Sequence, residues 1–405
     1  MLDWLIVGGG LHGALLARVL LEAGVPLDRL RVLDPHAEPL ARFRQCAAAT
    51  GLDYLRSSVV HHIDGDPMSL RRFAEDQGRR GELHGIYQRP SIALFDDHCD
   101  AVIEEHGLHS AWLRGEATAI DRAPGGGLRV ETGNGDLAAR RIVLAVGSAD
   151  QPLVPAWAQA LRDAGAPVRH VFERGFRIGG ALAGSRPVVV GGGLSAFQLA
   201  LWLAERRPGA VTLLARHPAR IHEFDADSRW MGPLGWREFA RLADGDQRRG
   251  VIARERRRGS VPAEIARQLE GRIADGSLVW RLGDVVAART VAPSAAALPA
   301  EGAAGAAAQG VDLELGCGGR VEGDGVLLAT GFHPRRPGGG LLDETIARLG
   351  LECAACGYPV VDASLRWGTG LYVTGPLAEL EIGPVARNIL GARMAGERLA
   401  RVARD

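Results

Sequence analysis

The hydrophobic positions of this chain spell out one unit twice. DWLIV (3–7) is an unbroken apolar run of strand length, and GGGLHG (8–13) is a glycine turn. ALLARVLLEAG (14–24) carries its apolar residues at helical spacing and stops on Gly24, and LRVLD (30–34) is a second apolar run. That order predicts strand, tight turn, helix, strand. It returns as PVVV (187–190), GGGLSA (191–196), FQLALWLAERR (197–207) and VTLLA (211–215). The apolar stretch 188–204 is long, but its first part is β-branched, its middle is glycine and its second part is helical. It therefore reads as a repeat unit and not as a membrane span.

Each unit is followed by an alternating hairpin: GLRVETGNGDLAARRIVLAVG runs into Gly147, and VDLELGCGGRVEGDGVLLATG runs into Gly331. Gly8 to Gly147 is 139 residues and Gly191 to Gly331 is 140, so turn and closing strand repeat in register. Residues 150–186 are Pro-rich and read as an irregular connection. The stretch 253–273 reads as an arginine-rich solvated helix, and 291–310 is low-complexity Ala/Gly/Pro. GLYVTG (370–375) predicts a strand into Gly375. Pro384 is expected to start a helix that buries Val385, Ile389, Ala392 and Leu399. The fold class is α/β: two dinucleotide-binding (Rossmann-like) domains, each with an inserted β-hairpin or meander.

Composition narrows the partners. Lys plus Arg and Asp plus Glu are each 48, so no net field favours a nucleic-acid backbone or an anionic membrane. Glycine, at 55 of 405 residues, is about twice its usual share, as turns and ligand-cradling loops require. Five cysteines (Cys46, Cys99, Cys317, Cys353, Cys356) make no disulfide framework, no signal peptide is visible, and a cytoplasmic setting is expected. Cys353 and Cys356 lack a second pair to complete a zinc site, and no metal is expected.

The spacing of Gly8, Gly10 and Gly13 is G-x-G-x-x-G, with His12 inside the turn and Asp34 ending the second strand. Such glycines let the backbone and a helix N-terminus reach a pyrophosphate, while the acidic residue bonds ribose hydroxyls. In the second copy Gly191 and Gly193 keep their places, Ser195 lies in the turn, and Ala196 replaces the third glycine. The residue after that copy's second strand is Arg216, which fits a 2′-phosphate and therefore NADPH; His217 and Arg220 stand nearby. Two such sites imply electron transfer between a bound flavin and a nicotinamide.

DGVLLATGFHPRRP (324–337) resembles the signature D-x3-[LF]-A-T-G-[YF]-x4-[HP] of the flavin-dependent N-hydroxylating monooxygenases, with Asp324, Leu328, Ala329, Thr330, Gly331, Phe332 and Pro337 in place. The resemblance implies FAD in a discontinuous domain (1–165 and 320–405) and NADPH in a domain at 170–319. Gly147, Thr330, Gly331, Gly375 and Pro384 would complete the FAD site. It implies hydroxylation of a nucleophilic nitrogen on a small amine or amino-acid-like substrate, with O2, through a C4a-(hydro)peroxyflavin. The alternatives are a NAD(P)H-dependent reductase passing electrons to a quinone or carrier, and a flavin-binding redox sensor.

Two departures put substrate identity in question. The family's Met-Gln pair and lysine are replaced by DYLRSSVVHHIDGDPMSLRRFA (53–74). The Asn of its D-S-P-F-x-N-E segment is Gly232. The 53–74 stretch reads as a loop, with Arg56, His61 and His62 as substrate candidates beside Asp64; Arg89 is a candidate for holding a carboxylate.

Overall fold

The computed structural model describes residues 1–179, 186–292 and 309–404. Its first sheet is centred on Leu2–Val7, flanked in parallel by Leu30–Asp34 and Leu137–Leu144. Trp112–Arg114 and Leu371–Val373 extend it on either side, again in parallel. Ile6 and Val7 are buried, as are Leu33, Val143 and Leu144 beside them. A strand covered on both faces has no reason to alternate, which is why these segments read as unbroken apolar runs. Ala117–Arg122 and Leu128–Thr132 form the predicted meander with Leu137–Leu144.

The second sheet repeats the plan in the order Leu278–Leu282, Val211–Ala215, Pro187–Val190, Gly325–Leu328, Val168–His170, all parallel. Its meander is Val285–Val291, Gly310–Leu315 and Arg320–Gly323. The expected boundary at 319/320 therefore falls inside this meander, and residues 320–328 pair with the second sheet, not the first. The stretch 150–186 is more than a connection. It holds the helix Ala156–Asp163 and the strand Val168–His170, which closes the second sheet. Most of the low-complexity stretch (293–308) lies outside the described residues.

Three further expectations change. Residues 253–273 contain parts of two helices, Gly245–Glu255 and Ala263–Ala274, parted by an extended crossing at 256–262. The 53–74 loop ends in a helix, Ser69–Asp76. Pro384 does not start the C-terminal helix: Gly383 sits at φ +84° and a turn follows, with Ala386 N–H donating to Gly383 O and Asn388 N–H to Val385 O. The helix begins at Ile389 and runs to Arg404, burying Ile389, Ala392 and Leu399, while Val385 is buried in the turn before it. It packs against Leu11–Glu22, where a Cβ on Gly396 would lie 3.1 Å from Val19 and 3.3 Å from Leu15. Among the described residues no helix is long and apolar enough to cross a membrane.

The two sheets are joined by two chain crossings that pair with each other. Pro152 and Phe332 form an antiparallel bridge; Leu153 N–H donates to Gly331 O (2.9 Å) and His333 N–H to Gln151 O (2.9 Å). Thr330 Oγ1 donates to Leu153 O at 2.5 Å, and Phe172 stacks on Phe332 with centroids 5.0 Å apart. Thr330, expected at the cofactor, thus also ties the crossings together.

Candidate functional site

The two glycine turns share one construction. Gly8 N–H donates to Leu33 O (2.8 Å) and Ala145 N–H to Val7 O (2.8 Å); in the second copy Gly191 donates to Leu214 O (3.0 Å) and Ala329 to Val190 O (2.8 Å). Gly8 has φ +111° and a Cβ there would lie 2.6 Å from Ala145 O; Gly191 has φ +156° and its Cβ would lie 2.5 Å from Ala329 O. The turn is thus pressed against the last strand of its own meander, and only glycine permits the approach. This is the physical content of the repeated spacing to Gly147 and Gly331.

In the first turn the three glycines do different work. A Cβ on Gly13 would meet Gly8 O at 1.9 Å, so Gly13 lets the helix seat on the turn. Gly10 caps that helix in an extended conformation, and its missing Cβ faces open space, as does that of Gly147. This is the cradle a pyrophosphate needs at a helix N-terminus, and the residues fit FAD. Asp34 Oδ2 accepts from Gly9 N–H (2.6 Å), and Oδ1 accepts from His36 N–H (2.8 Å), so the expected ribose ligand also braces the turn. His12 pairs with Thr374 Oγ1 (2.9 Å), and Gly375, at φ +62°, leaves room for its ring. Burial holds the His12 pKa down to about 4 despite the nearby carbonyls of Arg387 and Asn388, and its buried Nε2 makes no hydrogen bond among the described residues.

The second turn is more covered. A Cβ on Gly193 would lie 3.2 Å from Gly259 Cα, and one on Gly192 would lie 3.0 Å from the His217 ring. Ser195 is half-buried in the first turn of the following helix, Leu194–Arg206. Arg216 is 77% exposed at the end of its strand, with Asp284 at 3.9 Å. The guanidinium is free to meet a phosphate, which fits a nicotinamide nucleotide carrying one.

The substrate-loop candidates fare unequally. Arg56 is a strut: Nε donates to Glu223 O (3.1 Å), while Nη2 donates to His222 O (2.6 Å), Phe224 O (2.8 Å) and Ser260 Oγ (2.9 Å). Burial lowers its pKa, and it ties the 53–56 segment to the second module, with no donor set aimed at substrate. His62 is fully buried, hydrogen-bonded to Pro67 O (3.2 Å) and edge-on to His98 (4.8 Å). Burial first, then His98 and Arg393, hold its pKa down to about 3, so it is a neutral core group. Arg89 does hold carboxylates, but they are its own chain's: Glu223 at 2.5 Å and Glu264 at 3.3 Å. Only His61 stays available, half-buried, with a 3.5 Å contact to Ser58 Oγ and a pKa lowered by burial and Arg393. Pro384 offers its carbonyl to Arg256 Nη1 at 3.5 Å. All five cysteines are free thiols.

Sequence reasoning missed a polar cluster that ties distant segments of the chain together. Arg387 donates to Glu379 (2.9 Å), to Ser148 Oγ beside Gly147 (3.2 Å) and to Tyr358 Oη (3.2 Å). Arg249 pairs with the same Glu379, donates to Pro334 O (2.9 Å) and lies over the Tyr358 ring. These residues come from four distant segments and carry no local pattern that could have announced them.

Residues 5–149 match a family model described as FAD-NAD(P)-binding. No curated protein sequence matches the chain. Its fold is that of two-module dinucleotide-binding flavoenzymes. Among solved structures it is similar to L-lysine 6-monooxygenase from Pseudomonas syringae (21% identity, TM-score 0.71, covering 100% of this chain and 99% of that one). It is similar also to ornithine N-hydroxylase from Kutzneria sp. 744 (19%, TM-score 0.74, 100% and 99%), a structure with reduced FAD, NADP+ and L-ornithine. Bacillithiol disulfide reductase from Bacillus cereus shares the fold at a lower TM-score of 0.61 (16% identity, 99% and 98%).

Proposed function

We propose that this chain is an NADPH-dependent FAD monooxygenase that hydroxylates a nucleophilic nitrogen of a small amine or amino-acid-like substrate. The observation that carries the reading is the duplicated turn. Two nucleotide cradles of one construction stand on two parallel sheets tied together by paired chain crossings, as a flavin and a nicotinamide that exchange electrons require. The full-length likeness to lysine and ornithine hydroxylases and the A-T-G-F element at 329–332 support nitrogen hydroxylation.

When bound and reduced, FAD supplies the oxygen-activating chemistry. The chain's part is to hold and to shield. Gly8, Gly10 and Gly13 seat one nucleotide, with Asp34 at its ribose; Gly191, Gly193 and Ser195 seat the other, with Arg216 at its 2′-phosphate. Neutral His12, pinned by Thr374, keeps a charge away from the inner wall of the first cradle. Of the loop candidates, His61 is the one whose side chain is left to meet a substrate.

The test is NADPH oxidation by FAD-loaded protein under isotopically labelled O2, with a panel of amines and amino acids and product masses. One labelled oxygen per product, with less peroxide released, is the expected result. Electrons passing to a quinone or carrier with no labelled product would favour a reductase instead.

A further inference from the structure

The cluster around Glu379 holds more positive charge than its carboxylates balance. Arg249 and Arg387 share Glu379, whose side chain is 1% exposed. Arg256 donates from Nη1 to Pro384 O (3.5 Å), its nearest carboxylate is Asp225 at 4.0 Å, and its buried Nε has no partner among the described residues. Two residues on, Arg258 is exposed, and none of its side-chain nitrogens makes a described hydrogen bond or ion pair; its backbone N–H folds back to Arg256 O at 2.9 Å. Four guanidinia thus face two carboxylates. Burial and the repulsion of Arg387 and Arg249 hold the Arg258 pKa below its ordinary value, and burial brings Arg256 down to about 10. Both remain charged at neutral pH, and guanidinia crowded in this way are relieved by an oxyanion that accepts from several of them.

The cluster lies where the reacting groups would meet. Ser148, bonded to Arg387, follows the Gly147 strand end, Pro334 follows the Gly331 crossing, and Gly259, next to Arg258, lies against Gly193 of the second turn. We infer that Arg249, Arg256, Arg258 and Arg387 form an oxyanion subsite, and that the substrate is a small nitrogen nucleophile on a di-acid skeleton. A net-cationic amine would be repelled here. This inference rests on the proposed monooxygenase reading, with the reaction site at this cluster. The same chemistry could come from a nucleotide phosphate, and the experiment separates the two sources.

The probe is succinate, titrated calorimetrically into FAD-loaded protein, with cadaverine as the cationic counterpart and NADP+ as the nucleotide. Succinate should bind and cadaverine should not. Arg258→Ala should weaken succinate about ten- to a hundredfold, as for one lost charge-assisted contact, and Arg258→Lys should restore part of it. Arg216→Ala should weaken NADP+ and leave succinate alone. Because Arg258 is exposed and unpaired, its variants should keep their FAD content. The inference is overturned if succinate does not bind, if Arg258→Ala binds it like wild type, or if that variant loses NADP+ by the same factor. Succinate binding with no labelled hydroxylation of any amino di-acid would keep the subsite and sink the monooxygenase; labelled hydroxylation of cadaverine would do the reverse.

Discussion

Replacing Gly10 and Gly13 separately should split ligand binding from packing. The Cβ of Gly13→Ala would sit 1.9 Å from Gly8 O, more than about 1 Å inside an ordinary contact, so the helix must back away from the turn. Overpacking of this kind costs about 1–3 kcal/mol, and the apoprotein should lose about 2–10 °C in Tm. Gly10→Val meets nothing within 4 Å, and Gly10 has φ −74°, which valine adopts without strain. Its apoprotein should stay within about 2 °C of wild type. The same isopropyl group would occupy the pyrophosphate position. Loss of two charge-assisted backbone bonds at about 1.5–3 kcal/mol each weakens FAD by about 10²–10⁴-fold. Scanning fluorimetry of apoprotein and FAD titration followed by flavin fluorescence read the two quantities independently. The reasoning fails if Gly10→Val keeps wild-type FAD affinity, or if its apoprotein melts as low as that of Gly13→Ala.

Arg216→Ala should raise the KM for NADPH about ten- to a hundredfold and leave that for NADH nearly unchanged; equal effects on both would remove the 2′-phosphate role. His62, held down to about 3, and His98 and His170, each held down to about 4, stay neutral in the folded chain. The unfolded chain takes up protons below about pH 6.5, so stability should be full above that pH and fall as pH drops toward 4. His62→Gln should flatten this slope in denaturant titrations at stepped pH, and an unchanged slope would show that His62 is protonated in the fold. Arg56→Ala removes five hydrogen bonds between the 53–56 segment and residues 222–260 and should lower Tm more than His61→Ala. Arg56→Lys should not restore it, because an ammonium cannot span four carbonyls and a hydroxyl at once; full rescue would point to charge alone.

The cradles were legible in the sequence because a turn pressed against a neighbouring carbonyl excludes every residue but glycine, and that exclusion is written locally. The positions of Asp34 and Arg216 at their strand ends were legible because each stands at a fixed offset from its turn. Val168–His170 was not, since a three-residue strand after a Pro-rich stretch has no periodicity to read. The C-terminal helix was found but begun five residues early, because the left-handed Gly383 and its turn take the place of a proline-led first turn. His62 and Arg89 looked chemical by type; only the fold reveals that a core and two carboxylates already occupy them. The guanidinium cluster depends on segments more than a hundred residues apart, and nothing in any one of them requires the others.

The paired crossings carry a consequence for how the chain is nested. Leu153 and Gly331 are hydrogen-bonded neighbours, so everything between them leaves and returns at one spot, like a clause set inside a sentence. The outer strand of the second sheet, Val168–His170, lies inside that clause; Leu371–Val373 and the outer strand of the first, Arg366–Gly368, lie after it. Neither sheet borrows a strand across the parenthesis. A lineage could therefore exchange or shed the inner half without breaking the ladder of the outer one, and the outer half would keep its own nucleotide cradle intact.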